Sequence, residues 1–212
     1  MPEKNEFTAE GRNKDGKFTL KLRNVSSSEA RQWRILSTDL LNQKFDPSHG
    51  KNLKDHVLDE EEIVLQIKKA QAESDIWLFI IDPTNKHDVP ELRVEGGTIV
   101  GSCQLYWEGD TDGCHISCII HHRFLRNGYA RAALGAAIDY AFYTPHMKQE
   151  TVILETMKTN APFRGLMESL QLKDRETPGS YWAQADSPIE SVMYTFGEVR
   201  WEQAKRDAAN MK

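Results

Sequence analysis

The chain has 212 residues, 27 of them Lys or Arg and 32 Asp or Glu, for a formal net charge of -5. That length suits one large domain, and the acidic balance argues against nonspecific nucleic-acid binding as the main activity. Apolar runs such as Trp77 to Ile81 fall far short of the ~20 residues that a membrane span needs, and the mean hydropathy is -0.60. Met1 to Lys17 lacks the apolar segment of a secretory signal, and three cysteines do not make a disulfide framework. A cytoplasmic protein with free thiols is therefore expected.

Residues 1–16 lack periodicity and contain Gly11, Asn13 and Gly16, which predicts a flexible tail ahead of a single domain over 17–201. Phe18, Leu20 and Leu22 alternate with polar residues as in a half-buried strand. Ser26 with Glu29 has the spacing of a capping box, and Trp33, Leu36 and Leu40 continue at helical spacing to about Gln43. Asp59 to Glu62 open a second helix carrying Ile63, Ile67 and Ala70. Trp77 to Ile81 reads as a buried strand. Thr98 to Trp107 and Cys114 to Ile120 are strands joined by a polar loop from Glu108 to Gly113. Ala130, Ala133, Leu134, Ala137, Ile138 and Ala141 form a helical stripe that Pro145 stops. A strand from Thr151 to Thr156 and a helix from Pro162 to Leu170 follow. A long loop leads to a last strand at Val192 to Val199, and 202–212 reads as a polar C-terminal tail.

The junction from His121 to Ala130 carries the chemistry. His115 to Ile138 contains no Asp or Glu but holds Arg123, Arg126 and Arg131. A helix N-terminus offers unpaired N–H groups and partial positive charge to an anion. Gly128 and Ala130 keep bulk away from the backbone there, and arginines add charge-assisted contacts. Neither a GxGxxG fingerprint nor a Walker loop is present. Cys114, His115, Cys118, His121 and His122 resemble a zinc cluster in composition only. Four residues along a strand separate Cys114 from Cys118 by about 13 Å, so no metal is expected.

The run Gly128-Tyr129-Ala130-Arg131-Ala132-Ala133-Leu134 through Asp139-Tyr140-Ala141-Phe142 resembles motif A of the GNAT superfamily of acetyl-CoA-dependent N-acetyltransferases. Asn160 with Leu170-Gln171-Leu172 resembles the family's N…LGF segment. Tyr194 to Trp201 resembles the last strand of the branch containing ribosomal-protein alanine acetyltransferases. The resemblance implies an α/β (α+β) fold, a mixed, mostly antiparallel central sheet flanked by helices. The family's fourth and fifth strands, here 114–120 and 151–156, would splay around acetyl-CoA. Cys118, Ile119 and Ile120 would meet the acetyl-pantetheine arm through strand-edge backbone groups. Leu125, Arg126, Asn127, Gly128, Tyr129, Ala130 and Arg131 would hold the pyrophosphate, and Asn160 would contact the arm from the other side. Phe163 would pack on the pantetheine or serve as a core aromatic. Three departures stand out: Leu125 where Gln or Arg is usual, His115 where an acidic residue is common, and Met167 where many members carry a Tyr general acid.

The implied reaction is direct attack of a primary amine on acetyl-CoA. An ammonium has no lone pair, so a base is required. Glu155 is the first choice and His115 the second. Two acceptor classes stay open: a protein or peptide N-terminus, and a small amine enclosed by the loop bearing Tyr181 and Trp182. Acidic residues at Asp55 and Asp59 to Glu62 could attract a cationic acceptor, although the latter also serve the helix dipole. The alternative is a non-catalytic acyl-CoA-binding module.

Overall fold

Alternating Phe18, Leu20 and Leu22 build strand β2 (Gly16–Asn24) as the pattern predicts. The computed structural model describes residues 5–42, 44–45, 59–73, 75–84, 86–87, 89–107, 113–181 and 189–210. It places a further strand, β1 (Glu6–Asn13), antiparallel to β2, from Glu6 opposite Arg23 to Asn13 opposite Gly16. The expected tail over 1–16 is thus corrected for all but the first residues. β1 escaped detection because Ala9 is its one fully buried side chain, which leaves no apolar alternation to read.

The Ser26 and Glu29 capping box closes a single 3-10 turn, and helix α1 (Ala30–Thr38) continues from it. The helix ends at Thr38, before Leu40, and the predicted end at Gln43 lies outside the described residues. Asp59 and Glu62 form a second capping box at the start of α2 (Glu60–Ala72). The strands β3 (Ile76–Asp82), β4 (Arg93–Val94), β5 (Gly97–Tyr106) and β6 (Cys114–Ile120) follow. Most of the polar loop predicted between the last two is not among the described residues. Then come α3 (Tyr129–Tyr143), β7 (Val152–Met157) and α4 (Ala161–Ser169). The chain closes with β8 (Glu176–Tyr181), β9 (Ile189–Phe196) and α5 (Glu198–Asn210).

The strands make one sheet in the order β1-β2-β3-β5-β6-β7-β9-β8, with β4 paired to β5. All the pairings are antiparallel except β6 with β7. Alternation assigns its two faces. Trp33 of α1 stacks on Trp77 at 4.8 Å, so α1 covers the face of odd-numbered β3 residues. Phe7 stacks on Tyr140 of α3 at 4.5 Å, and Phe7 is in register with Leu22 and Ile80, so α3 covers the opposite face. The α3 stripe of Ala133, Leu134, Ala137, Ile138 and Ala141 is fully buried there.

Two corrections fall at the C-terminal end. β8 runs through Pro178 and Gly179, in what reads as loop. Proline is tolerated because β8 is an edge strand. The last strand ends at Phe196, and the expected C-terminal tail is helical through Asn210. That helix buries only Trp201 and Ala204, too narrow a stripe to stand out in a polar run. Trp201 Nε1 donates to Asp139 Oδ1 at 2.7 Å and ties α5 to α3. Among the described residues, no helix is long and apolar enough to cross a membrane.

The Phe7 contact tests the role of the N-terminal strand. Phe7→Ala removes a half-buried ring stacked on Tyr140, and a loss of about 2 kcal/mol is expected, below the 3–5 typical of a fully buried Phe. Urea denaturation measures it; a flexible tail would give no change.

Candidate functional site

The sheet divides between β6 and β7. Their parallel pairing covers only Cys114 opposite Val152 and His115 opposite Ile153. Beyond this, Ile116 to Ile120 stay paired with β5 and Leu154 to Met157 with β9, so the two strands diverge. Each then presents backbone N–H and C=O groups to the gap, and such groups need a partner in ligand or water. An extended, amide-bearing arm can pair with them as an added strand would.

β6 leads from this gap straight to the loop before α3. His121 N donates to Val100 O at 2.9 Å, which extends the strand register by one residue. A 3-10 turn over His122 to Phe124 follows, anchored by the buried Phe124. Asn127 Nδ2 donates to the carbonyls of Phe124 and Leu125 at 3.1 and 3.3 Å, fixing the curve of the loop. Arg126 and Gly128 both have positive φ, 65° and 78°. The first α3 bond runs from Ala132 N to Gly128 O, so the N–H groups of Tyr129, Ala130 and Arg131 precede the helical ladder. Leu125 is exposed, as are Arg126 and Arg131. A Cβ on Gly128 would lie 3.2 Å from the Arg12 carbonyl of the β1-β2 hairpin, in addition to the strain of its φ.

Tyr129 turns inward. Its hydroxyl donates to the buried Asp82 at 3.0 Å and lies 3.2 Å from His87 Nε2. Burial and the Asp82 contact push the phenol above its usual range. What Tyr129 presents to the loop surface is its backbone.

The same loop is joined to α1. His122 Nδ1 lies 3.1 Å from Asp39 Oδ2, and His122 N donates to Asn42 Oδ1 at 2.8 Å. Asp39, His121 and His122 bring ligand-type atoms within 4.8 Å of one another. His121 Nδ1 accepts from Arg123 N at 3.3 Å, however, so the neutral ring carries its proton on Nε2, on the side of the carboxylate. The cluster thus sets a carboxylate beside two imidazoles, and the bond from His122 N to Asn42 Oδ1 joins the loop to the segment after α1. Cys114 and Cys118, grouped with these histidines by sequence, face Val152 and Cys103 across their strands and do not converge with them.

Beside the gap, the predicted base residues share the α1 face of the sheet. His115 is buried, and the Tyr106 ring stacks on it at 5.3 Å. Glu155 lies two residues, roughly 7 Å along β7, beyond the Ile153 that pairs with His115. It is half-buried and accepts a hydrogen bond from Ser191 of β9. Gly179 of β8 makes room for it, since a Cβ there would approach Oε1 to 2.8 Å. The sequence did not single out Ser191 or Gly179, because strand pairing alone brings them to Glu155.

Asn160 caps α4. Its Oδ1 accepts from Phe163 N at 3.2 Å and its Nδ2 donates to Thr156 Oγ1 at 2.8 Å. Phe163 is half-buried, 6.2 Å from the Tyr194 ring, and Met167 is a core residue. The loop residue Trp182 and acidic Asp55 lie outside the described residues. An open groove of about 1000 Å³ between α3 and α5, lined by Tyr143, Arg175 and Val199, lies at the closed end of the β6-β7 pair and not at the gap.

A sheet split between parallel strands and followed by a helix start with unpaired N–H groups suits an extended, anionic cosubstrate. Residues 19–173 match the family described as "Acetyltransferase (GNAT) domain", and the chain belongs to that family of acetyl-CoA-dependent acyltransferases. No curated protein gives a significant match. Among solved structures, Mycobacterium smegmatis RimJ in complex with CoA-disulfide is similar over 99% of this chain and 95% of its own, with 17% identity and a TM-score of 0.70. Spermidine N-acetyltransferase from Vibrio cholerae, in complex with CoA and spermine, is similar over 86% of this chain and 98% of its own, with 13% identity and a TM-score of 0.64. A GNAT acetyltransferase from Bacillus anthracis has 16% identity and a TM-score of 0.62 over 91% and 99%. At these identities the likeness is one of fold.

Arg126→Gly separates strain from binding. Relief of the left-handed conformation, about 1 kcal/mol, is offset by the greater freedom of glycine in the unfolded chain, so stability should stay nearly constant. CoA affinity should fall several-fold with a weaker salt dependence, measured by calorimetry at two ionic strengths.

His121 supplies a pH signature. Burial first, then the neighbouring His122, lowers its pKa below the ordinary 6.5. The unfolded chain therefore binds the proton more readily, and stability should be lost as pH falls from about 6.5 toward the native value. Urea midpoints across that window should be flatter in His121→Gln than in the parent.

Proposed function

We propose that this enzyme acetylates an amine by direct transfer in the β6-β7 gap, with Glu155 as the general base. The observation that carries this reading is the position of Glu155 on the diverging part of β7, two residues beyond the last pair with β6 and held by Ser191. On this reading the backbone of Cys118, Ile119 and Ile120 pairs with the acetyl-pantetheine arm. Leu125 to Arg131 cradle the pyrophosphate through N–H groups and two arginines. Asn160 contributes mainly by starting α4 beside the arm, since both polar ends of its side chain have protein partners. His115 supports the same face beneath Tyr106.

The acceptor we favour is a protein or peptide N-terminus. An α-amine has a pKa near 7.7–8.0, against about 10.4 for an alkyl primary amine. A substantial fraction of it is neutral at physiological pH, and one carboxylate suffices to take the remaining proton. Resemblance of Tyr194 to Trp201 to the ribosomal-protein alanine acetyltransferase branch supports the same class. The V. cholerae enzyme bound to spermine makes polyamines the appropriate competing panel.

Incubation with acetyl-CoA, N-terminal peptides and polyamines, read by mass spectrometry, tests the acceptor. Preferential acetylation of peptide α-amines is expected, and CoA binding without turnover on any amine would overturn the catalytic reading. Glu155→Gln should lower kcat by about 10²-fold, leave acetyl-CoA affinity nearly unchanged and remove the acidic limb of the rate profile. Ser191→Ala should cost less, about tenfold or under, because it loosens the carboxylate without removing it. A Glu155→Gln loss below about threefold, with the limb intact, would make Glu155 structural and His115→Gln the next variant.

A further inference from the structure

Among the described residues, one pair of nucleophilic side chains lies in register within the sheet and has no part in the reaction above. Cys103 on β5 stands directly opposite Cys118 on β6. The class of this pair follows from its neighbours. His121 N bonds Val100 O, and Gly101 is opposite Ile120, so hydrogen-bonded pairs alternate as 100 with 121, 102 with 119 and 104 with 117. Cys103 and Cys118 therefore form a non-hydrogen-bonded pair, whose Cα atoms are about 4.5 Å apart with side chains drawn together. That separation falls within the ~4.4–6.8 Å that a disulfide spans.

The surroundings differ along the two strands. Cys103 is fully buried, whereas Cys118 is partly exposed on the stretch of β6 from which β7 has diverged. The Cys103 and Cys118 side chains lie on the same face of the sheet, directly opposite each other. Both cysteines are free thiols, as is Cys114. Cys114 lies four residues from Cys118, in the paired part of β6, and burial pushes its thiol up to about 12.

We propose that Cys103 and Cys118 are a modification site, a dithiol that a peroxide closes to a cross-strand disulfide at the edge of the gap. Cys118, the accessible member, reacts first as its thiolate. Its sulfur attacks one peroxide oxygen, the O–O bond breaks, and the departing hydroxide takes a proton to become water, leaving a sulfenic acid. The Cys103 sulfur then attacks the Cys118 sulfur as its own proton leaves. The S–O bond breaks, and the hydroxide departs as a second water. Two thiols and one hydrogen peroxide yield one disulfide and two waters, the two electrons passing from sulfur to peroxide. Contact with Cys118 and burial hold the Cys103 thiol well above its usual range, which makes it the second reactant and not the first. One consequence rests on the proposed function: with the acetyl-pantetheine arm along Cys118 to Ile120, bound acetyl-CoA should shield Cys118.

The test treats the full chain with hydrogen peroxide, blocks remaining thiols under denaturing conditions and maps peptides by mass spectrometry. A Cys103–Cys118 disulfide reversed by dithiothreitol is expected, with Cys114 still alkylated. In Cys103→Ser the reaction should stop at a Cys118 sulfenic acid trapped by dimedone, and in Cys118→Ser neither product should form. If Cys103 and Cys118 stay as alkylatable as Cys114, or if peroxide links separate chains instead, the proposal is overturned. Saturating acetyl-CoA should slow the oxidation about tenfold or more. Disulfide formation at the same rate with and without acetyl-CoA would leave the dithiol standing and overturn the placement of the arm beside Cys118.

Discussion

Two residue pairs of parallel hydrogen bonding, at Cys114–Val152 and His115–Ile153, set the geometry on which the site depends. Had pairing continued to Ile120, the sheet would be closed, and no backbone groups would remain to receive an extended ligand. A split of this kind leaves polar backbone groups on stretches that are half-buried, Ser117 to Ile119 and Glu155 to Met157, and such N–H and C=O groups require partners in ligand or water. It persists because each strand is secured on its other side, β6 by six pairs with β5 and β7 by six with β9. The cost of the opening is thus met by the sheet, and a ligand arm that pairs with the free edges recovers part of it.

The divergence also places the loop before α3. β6 delivers His121 at the mouth of the gap, and a turn containing two left-handed residues delivers the first N–H groups of the helix to the same end. Positive φ at Arg126 is notable because an arginine gains nothing from that conformation. The Asn127 bonds and the buried Phe124 impose it, and the result is a short, rigid curve with its charged side chain exposed. The Asp39 and Asn42 contacts to His122 extend this rigidity to the end of α1. The loop before α3 and the end of α1 therefore share one support.

What could be read from the sequence follows from how each residue signals. Gly128, Ala130 and the α3 stripe combine a special backbone requirement with a long apolar period, so both the helix and the turn that starts it are visible. β6 and β7 are visible as apolar runs, whereas their divergence is not, since nothing in Cys118 or Leu154 marks the last pair. β1, β8 and α5 are hidden for a common reason. Each lies at the periphery and buries few side chains, so edge position and tertiary contact override a weak local pattern. Ser191 and Gly179 are more than twenty residues from Glu155 in the chain and meet it only through the β7-β9-β8 pairing. No motif read along the chain can anticipate such a trio.

This division bears on how the fold tolerates change. On the cofactor side the groups proposed to act are mostly backbone, which any residue supplies provided the curve is kept, and Leu125 in place of the usual Gln or Arg illustrates the freedom. On the acceptor side the groups proposed to act are side chains, Glu155 held by Ser191 and His115 stacked with Tyr106. A scaffold so divided could keep one cosubstrate while its acceptor changes. Cys103 and Cys118 lie at the border between the halves: a bond between them would act on the strand edge along which the acetyl-pantetheine arm is proposed to lie, without touching Glu155 or the loop before α3.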